Sequence, residues 1–141
     1  MAAIAVAPAS AIINVGAIPH FVTINKNDLG INTFELESYL SKICVIKKGK
    51  CFNKKTKRFI SAIVPVHVFG HSCNITEIIR ISKKFNLKVV EDAADALGTY
   101  YKSKHAGTFS KLGVLSFNGN KTITTGCGGA ILTNDTIIAK K

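Results

Sequence analysis

The sequence predicts an α/β fold in which a largely parallel sheet is flanked by helices. Its 141 residues suit one domain, and a hydrophobic content of 47% is enough for a packed core. Continuous apolar runs, at 61–69 and 87–92, are typical of strands that are buried on both faces. Segments with helical periodicity alternate with these runs, and such alternation favours parallel strand pairing.

The first half of the chain predicts a strand, a helix and a hairpin. The segment "IPHFVTI" (18–24) is predicted to be a strand. Asn32 or Thr33 can cap a helix that runs to about Ile43, because apolar residues recur at helical spacing along it. The segment 44–60, "CVIKKGKCFNKKTKRFI", is predicted to form a strand, a turn and a second strand at a sheet edge.

The second half predicts four more strands and two more helices. "SAIVPVHVF" (61–69) is predicted to be a buried strand, after which Gly70 permits a sharp turn. A helix follows from Asn74, where Glu77 three residues later resembles a capping box. Further strands are predicted at 87–92, 113–117 and 129–133, and the chain ends in a helix just after them.

Charge is the strongest feature of the composition. Nineteen basic and eight acidic residues give a net charge of +11, which can indicate a nucleic-acid or polyanion-binding module. Much of this charge falls in one predicted hairpin, and such a run usually forms a solvated face. The aromatic residues beside it, Phe52 and Phe59, offer only a small stacking surface. The basic run consists of Lys42, Lys47, Lys48, Lys50, Lys54, Lys55, Lys57 and Arg58.

Cysteine spacing and the N-terminal run bear on the compartment. The four cysteines show no CxxC spacing, so neither a metal site nor a redox motif is predicted, and reduced thiols are expected. The apolar run "AAIAVAPASAIINVGAI" (2–18) is too short to span a bilayer and lacks a positive leader. We therefore expect a cytoplasmic protein, and we expect this run to lie in a buried layer.

Polar residues follow the predicted parallel strands where a ligand would bind. His67, Glu91, Asp92 and Ser116 all lie near carboxyl ends of strands, so we expect them close together. The small residues after Asp92 would let a flat ligand approach, although such a carboxylate is often only a helix cap or a salt-bridge partner. The Ser116 hydroxyl suits a phosphate oxygen, but it could equally bond to local backbone.

Lys121 stands alone in the glycine-rich segment "SFNGNKTITTGCGG" (116–129). A P-loop is excluded, because Asn120 separates Gly119 from Lys121 and Gly113 lies six positions before Gly119, not five. Two interpretations remain, a surface lysine in a turn and a lysine that forms a Schiff base. The second would require a carboxylate for a pyridine nitrogen and a phosphate-binding group.

Residues 89–135, "VVEDAADALGTYYKSKHAGTFSKLGVLSFNGNKTITTGCGGAILTND", resemble the core of the DegT/StrS-type pyridoxal-phosphate-dependent sugar aminotransferases. Together with "PVHVFGH" they look closest to the branch that makes 4-amino sugars of the legionaminic-acid kind. The resemblance implies part of the large domain of a fold-type I transferase, with a mainly parallel central sheet. It also implies pyridoxal 5′-phosphate as the cofactor.

The resemblance assigns roles to five residues. Lys121 would form the Schiff base and be the catalytic residue. Asp92 would pair with the pyridinium nitrogen, Ser116 would hold the phosphate, and Ala94 would lie against the ring. Asp95 would lie near the phenolic oxygen, where the family often has Gln, His or Glu.

Other positions are less directly implied. His67 is expected to have a structural or a substrate-side role, Asn120 is expected on the substrate side, and Cys127 departs from the family pattern. His67 and His71 have an i, i+4 spacing, but they straddle Gly70 outside a helix, so no metal site is predicted. A related set of sugar dehydratases has histidine in place of the lysine, and Lys121 therefore favours amino transfer.

The implied reaction moves an amino group, with glutamate as the expected donor, to a 4-keto nucleotide sugar in surface-polysaccharide or nonulosonic acid biosynthesis. A homodimer is expected for the full-length form, with neither nucleic acid nor membrane as a partner. Residues 1–141 are expected to be the central part of the large domain, without its N-terminal segment and without the C-terminal small domain. We expect such a fragment to be inactive alone.

Overall fold

The computed structural model describes residues 6–140. Helix α1 (Val6–Asn14) buries none of its residues, and Val6 and Ile13 are largely exposed. The expectation of a buried layer is therefore wrong for the described part of this run, and its first residues lie outside the description. The predicted strand at 18–24 is also absent, since this segment forms only a single bridge between Ile24 and Ile31.

Helix α2 (Thr33–Ile43) confirms the prediction for this segment. The Asn32 side chain caps it by accepting a hydrogen bond from the Glu35 backbone N–H at 3.2 Å. Leu36 and Leu40, one helical turn apart, are its buried residues.

The basic segment forms its own antiparallel sheet. Strands β1 (Cys44–Lys47), β2 (Lys50–Asn53) and β3 (Phe59–Ile60) pair in that order, which confirms the hairpin. The third strand was not predicted, and this sheet is separate from the parallel one. All eight side chains of the basic run are exposed: Lys47 and Lys50 lie at the ends of β1 and β2, and the other six lie outside these strands.

The strand predicted at 61–69 is much shorter than expected. Strand β4 covers only Ala62–Ile63, and one further bridge joins Val66 to Asp92. Pro65 interrupts the ladder because it has no N–H to donate. A 3₁₀ turn (Val68–Gly70) then reverses the chain, with Gly70 at φ 79° as its sharp-turn residue.

Helix α3 (Ile75–Lys84) and the strands after it complete the predicted α/β unit. The Asn74 side chain accepts from the Glu77 backbone N–H, so the predicted cap is confirmed. Strands β5 (Lys88–Asp92), β8 (Leu112–Ser116) and β9 (Gly129–Leu132) lie near their predicted positions, followed by the short helix α4 (Thr136–Ala139). A small hairpin of β6 (Tyr100–Tyr101) and β7 (Lys104–His105) was not predicted.

The main sheet has the order β4-β5-β8-β9. The first two pairings are parallel and the last is antiparallel, which confirms a mainly parallel sheet. Helix α3 buries Ile75, Ile78 and Ile81 completely in a core that includes Leu87 and Val89. This core fixes the sheet whose carboxyl edge carries the polar residues. Within residues 6–140 no helix is both long and apolar enough to span a membrane.

Candidate active site

The carboxyl ends of β5 and β8 meet at one edge of the main sheet. Strand β5 ends at Asp92 and strand β8 ends at Ser116, and the register pairs Asp92 with Val114. Ser116 therefore lies two residues beyond Asp92 along the neighbouring strand. Since side chains alternate along a strand, Asp92, Val114 and Ser116 all point to the same face of the sheet.

Asp92 is a half-buried carboxylate with capacity for another partner. Its Oδ1 atom accepts a hydrogen bond from the Ala94 N–H at 3.1 Å, and no other hydrogen bond to this side chain is found within residues 6–140. Burial raises the pKa of Asp92, the Ala94 N–H opposes this, and the nearby Asp95 charge raises it further. A cationic group beside the second carboxylate oxygen would stabilise the ionised form of Asp92, which burial disfavours.

Lys121 is brought back to the segment after β5 by a loop with its own backbone hydrogen bonds. Phe117 N–H donates to Gly128 O at 2.9 Å, and Lys121 N–H donates to Asn118 O at 3.0 Å. The Lys121 ammonium then donates to Asp95 Oδ1 at 2.7 Å. The Lys121 side chain is only 17% exposed, so the lysine is held against the sheet edge and is not a free surface group.

Ser116 and Asn120 precede this lysine in the sequence, and both hydrogen-bond to Asn118. Ser116 Oγ accepts from the Asn118 N–H at 3.3 Å, which leaves its own hydroxyl proton available for an anion. Asn120 is exposed, and its Oδ1 accepts from the Asn118 side chain at 3.3 Å. The structure thus brings Asp92, Ala94, Asp95, Ser116 and Lys121 to one edge.

His67 lies in the interior of the described part of the chain. Its ring is completely buried, Nε2 lies 3.2 Å from Glu91 Oε2, and Nδ1 lies 3.3 Å from the Cys73 backbone N. This burial favours the structural role of His67 over the substrate-side role, because the carboxyl end of a strand can face the core as well as a ligand.

Glu91 is the residue whose importance the sequence pattern did not show. It is fully buried and directly precedes Asp92, so strand alternation points the two carboxylates to opposite faces. This alternation is a signal in the sequence that could have separated the two residues: if Asp92 faces a ligand, then Glu91 faces the opposite side of the sheet. Glu91 must find its partners in the interior.

Other candidate sites receive little support. Within residues 6–140, no group of three or more His, Cys, Asp or Glu side chains is arranged to hold a metal ion. In the basic hairpin, Lys47 lies 4.9 Å from the centre of the Phe52 ring and Lys50 lies 5.3 Å from that of Phe59. A lysine of the hairpin thus lies over one face of each phenylalanine ring. A nucleic-acid base would have to displace that lysine in order to stack on the same face.

Comparison with known proteins identifies the class. Residues 3–141 match the model of the DegT/DnrJ/EryC1/StrS aminotransferase family, and the chain belongs to this family. The fold-type I assignment and the pyridoxal-phosphate cofactor of the family agree with the predictions above. One solved structure that this chain resembles is NtdA from Bacillus subtilis, which has bound cofactor PMP, the aminated form of pyridoxal phosphate. The similarity has a TM-score of 0.71 and 28% identity, over 93% of this chain and 26% of that one.

Two relatives illustrate which proteins the chain resembles. The chain is 38% identical over 130 residues to GDP-perosamine synthase of Escherichia coli O157:H7, which covers 92% of this chain and 31% of the relative. It is 33% identical, with a TM-score of 0.79, to Helicobacter pylori PseC, an aminotransferase involved in the biosynthesis of pseudoaminic acid, over 97% of this chain and 32% of that one. The chain therefore spans about a third of the length of these relatives. They support the family, but do not single out the legionaminic-acid branch.

Proposed function

We propose that this chain carries the lysine-bearing part of a pyridoxal-phosphate-dependent sugar aminotransferase. The observation that supports this most directly is the convergence of Lys121, Asp95 and Asp92 at one sheet edge, with Lys121 Nζ 2.7 Å from Asp95 Oδ1. Lys121 and Asp95 lie 26 residues apart in sequence, so the fold, and not local spacing, brings them together.

The residues at this edge fit the cofactor. Asp92 has an oxygen without a partner among the described residues and a pKa raised by burial, so a protonated pyridine nitrogen would compensate its charge. Ser116 has a hydroxyl proton to donate to a phosphate. Ala94 is small enough to leave room for a flat ring. When bound, pyridoxal phosphate supplies an electron sink for the carbon that loses its proton.

The chain's own residues would then divide the work. Lys121 Nζ would hold the cofactor covalently when it is bound, and the same amine would take the proton from the donor's α-carbon and later return one. Asp92 would favour the protonated form of the cofactor's ring nitrogen through its negative charge. Asp95 holds the lysine at the edge through their ion pair. Asn120 is proposed as a substrate-side residue, because it is exposed beside Lys121.

The finer assignment rests on the relatives. We propose a 4-keto nucleotide sugar as the acceptor and glutamate as the donor, in surface-polysaccharide or nonulosonic acid biosynthesis. The GDP-perosamine synthases and PseC support a sugar substrate of this kind. The full-length form is proposed to be a cytoplasmic homodimer that binds neither nucleic acid nor membrane, and residues 1–141 to be the central part of its large domain. Lys121 favours amino transfer over the dehydratase reaction.

Reductive trapping tests the centre of the proposal. The full chain is incubated with pyridoxal phosphate, treated with borohydride and mapped by peptide mass spectrometry. We expect the cofactor to be trapped on Lys121 in the parent and lost from this peptide in Lys121→Arg. The matched control is Lys111→Arg, since Lys111 is another ion-paired lysine, 3.4 Å from Asp135, but is 78% exposed. Equal labelling of many exposed lysines, with no preference for Lys121, would contradict the proposal.

A second measurement tests the reaction itself. A full-length version is supplied with ¹⁵N-glutamate and a 4-keto nucleotide sugar, and the sugar product is examined by mass spectrometry. Incorporation of ¹⁵N into the sugar supports amino transfer. Loss of a hydroxyl group without nitrogen incorporation would instead indicate the dehydratase reaction.

A further inference from the structure

The buried Glu91 carboxylate is surrounded by hydrogen-bond donors. Its Oε2 atom accepts from Gly107 N–H at 2.8 Å and lies 3.2 Å from His67 Nε2. Its Oε1 atom accepts from Ser110 N–H at 2.6 Å and from Ser110 Oγ at 2.8 Å. Burial raises the pKa of Glu91, but these hydrogen bonds outweigh it, and the net effect is a lowered pKa. Glu91 is therefore an ionised interior group with all of its acceptor positions in use.

His67 has a defined tautomer in this network. The Cys73 backbone N–H donates to Nδ1 at 3.3 Å, so Nδ1 carries the lone pair and Nε2 carries the proton. The Nε2–H group then donates to Glu91. The Cys73 thiol, 3.7 Å from Nδ1, stays protonated because burial, helped by the charges of Asp28 and Glu91, raises its pKa to about 12.

The network joins the segments that form the candidate site. The backbone N–H of His67 donates to the backbone O of Asp92 at 2.9 Å, and the backbone N–H of Asp92 donates to the backbone O of Pro65 at 2.8 Å. Ser110, whose backbone N–H donates to Glu91 Oε1 at 2.6 Å, stands two residues before the start of β8 at Leu112. Glu91 thus ties the backbone around Asp92 to the loop that leads into the strand ending at Ser116.

We propose that Glu91, oriented by His67, is a positioning residue that sets Asp92 and the start of β8 for the cofactor. Its role in cofactor binding rests on the proposed function, whereas its effect on the Asp92 backbone does not. Glu91→Gln keeps the shape of the side chain but replaces one acceptor oxygen with an NH₂ donor. That donor would face the N–H of Gly107 or Ser110, so at least one of these contacts becomes repulsive.

Hydrogen exchange of the full chain tests the positioning without cofactor. By mass spectrometry, we expect Glu91→Gln to accelerate exchange in peptides covering 88–96 and 104–112 by about tenfold, the equivalent of one hydrogen bond to a charged group. Peptides of α3 (75–84) should change less than about twofold. Equal acceleration in all peptides would overturn the proposal, because it would show only a loss of global stability.

Affinity for PMP tests the link to the site. We expect Glu91→Gln to weaken PMP binding about tenfold in the parent but less than about twofold in an Asp92→Asn background, since a residue that acts through Asp92 loses its effect there. Equal weakening in both backgrounds would overturn this link. The matched control is Asn53→Ala, because Asn53 is 4% exposed but lies in the other sheet, and it should leave PMP affinity unchanged.

Two outcomes separate this inference from the proposed function. If the parent binds no PMP, the proposed function fails for this chain, and hydrogen exchange alone decides whether Glu91 positions Asp92. If Glu91→Gln does not fold, Ser110→Ala replaces it, since this change removes one of the hydrogen bonds to Glu91 and keeps the carboxylate. Ser110→Ala should give the same local pattern with a smaller amplitude, and a uniform pattern would overturn the proposal.

Discussion

Gly113, in β8, lies against the backbone of the loop that contains Gly107, and replacing it with alanine should disturb the sheet that carries the candidate site. It pairs with Glu91 in the parallel register of β5 and β8. A Cβ atom built at Gly113 would lie 1.8 Å from Gly107 O and 2.6 Å from Gly107 C. Both obstructing atoms are backbone atoms, so a side-chain rotation cannot relieve the clash.

The cost of Gly113→Ala follows from the movement required. Increasing the contact from 1.8 Å to the 3.0 Å below which Cβ atoms are essentially never seen needs a shift of 1.2 Å. Such a shift would break the 2.8 Å hydrogen bond from Gly107 N–H to the buried Glu91 carboxylate. Overpacking together with the loss of a hydrogen bond to a charged group should lower the free energy of unfolding by about 3–6 kcal/mol.

Urea unfolding of the full chain, followed by circular dichroism, measures this effect. Gly119→Ala is the matched control, because a Cβ atom at Gly119 meets nothing within 4 Å and the backbone there is outside the left-handed region. The control should change the free energy of unfolding by less than about 1 kcal/mol. If Gly113→Ala is as stable as Gly119→Ala, the close packing of β8 against the Gly107 loop, and the reasoning built on it, is wrong.

Four further predictions concern the candidate site and the chain as a whole. In a full-length version, Lys121→Ala should abolish both reductive trapping of the cofactor and amino transfer. In Asp92→Asn, the cofactor should still be trapped on Lys121, but nitrogen transfer should be slower. An unchanged rate of this variant in single-turnover assays would show that Asp92 is a structural cap. Acidification should destabilise the chain through Glu91, because folding lowers the pKa of this carboxyl. The ionised Glu91 contributes its full stabilisation at a pH above the ordinary glutamate pKa, and this stabilisation is lost as the pH falls through the pKa of the folded state. Glu91→Gln should therefore flatten the dependence of the urea midpoint on pH below about 5, and an equally steep dependence would argue against it. The 141-residue chain alone should show no transamination above a cofactor-only control, since it spans about a third of its relatives; measurable turnover would contradict this. Reversing charge in the basic hairpin of a full-length version should leave transamination nearly unchanged, because exposed charges contribute little, and a large rise in the KM for the nucleotide sugar would show a phosphate-binding role. The residues to change are Lys54, Lys55 and Lys57.

Local signals account for the elements that were predicted correctly. Helices α2 and α3 begin where Asn32 and Asn74 cap them, and these caps depend on residues only three positions apart. The strand predictions that failed relied on apolar composition. The segment 18–24 has no partner strand beyond one bridge, and 61–69 is interrupted by Pro65, so neither forms a long strand.

The sequence by itself determined which residue types stand at the ends of β5 and β8, and the family resemblance assigned Asp92, Ser116 and Lys121 to the cofactor. Only the tertiary structure decided which distant groups the Glu91 and Asp95 carboxylates contact. Strand alternation sends Glu91 inward and Asp92 outward, but the buried partner of Glu91, His67, is 24 residues away, and the partner of Lys121, Asp95, is 26 residues away. Such pairings arise because parallel strands and a returning loop bring distant segments to one edge, and no local pattern of residues specifies contacts over that separation.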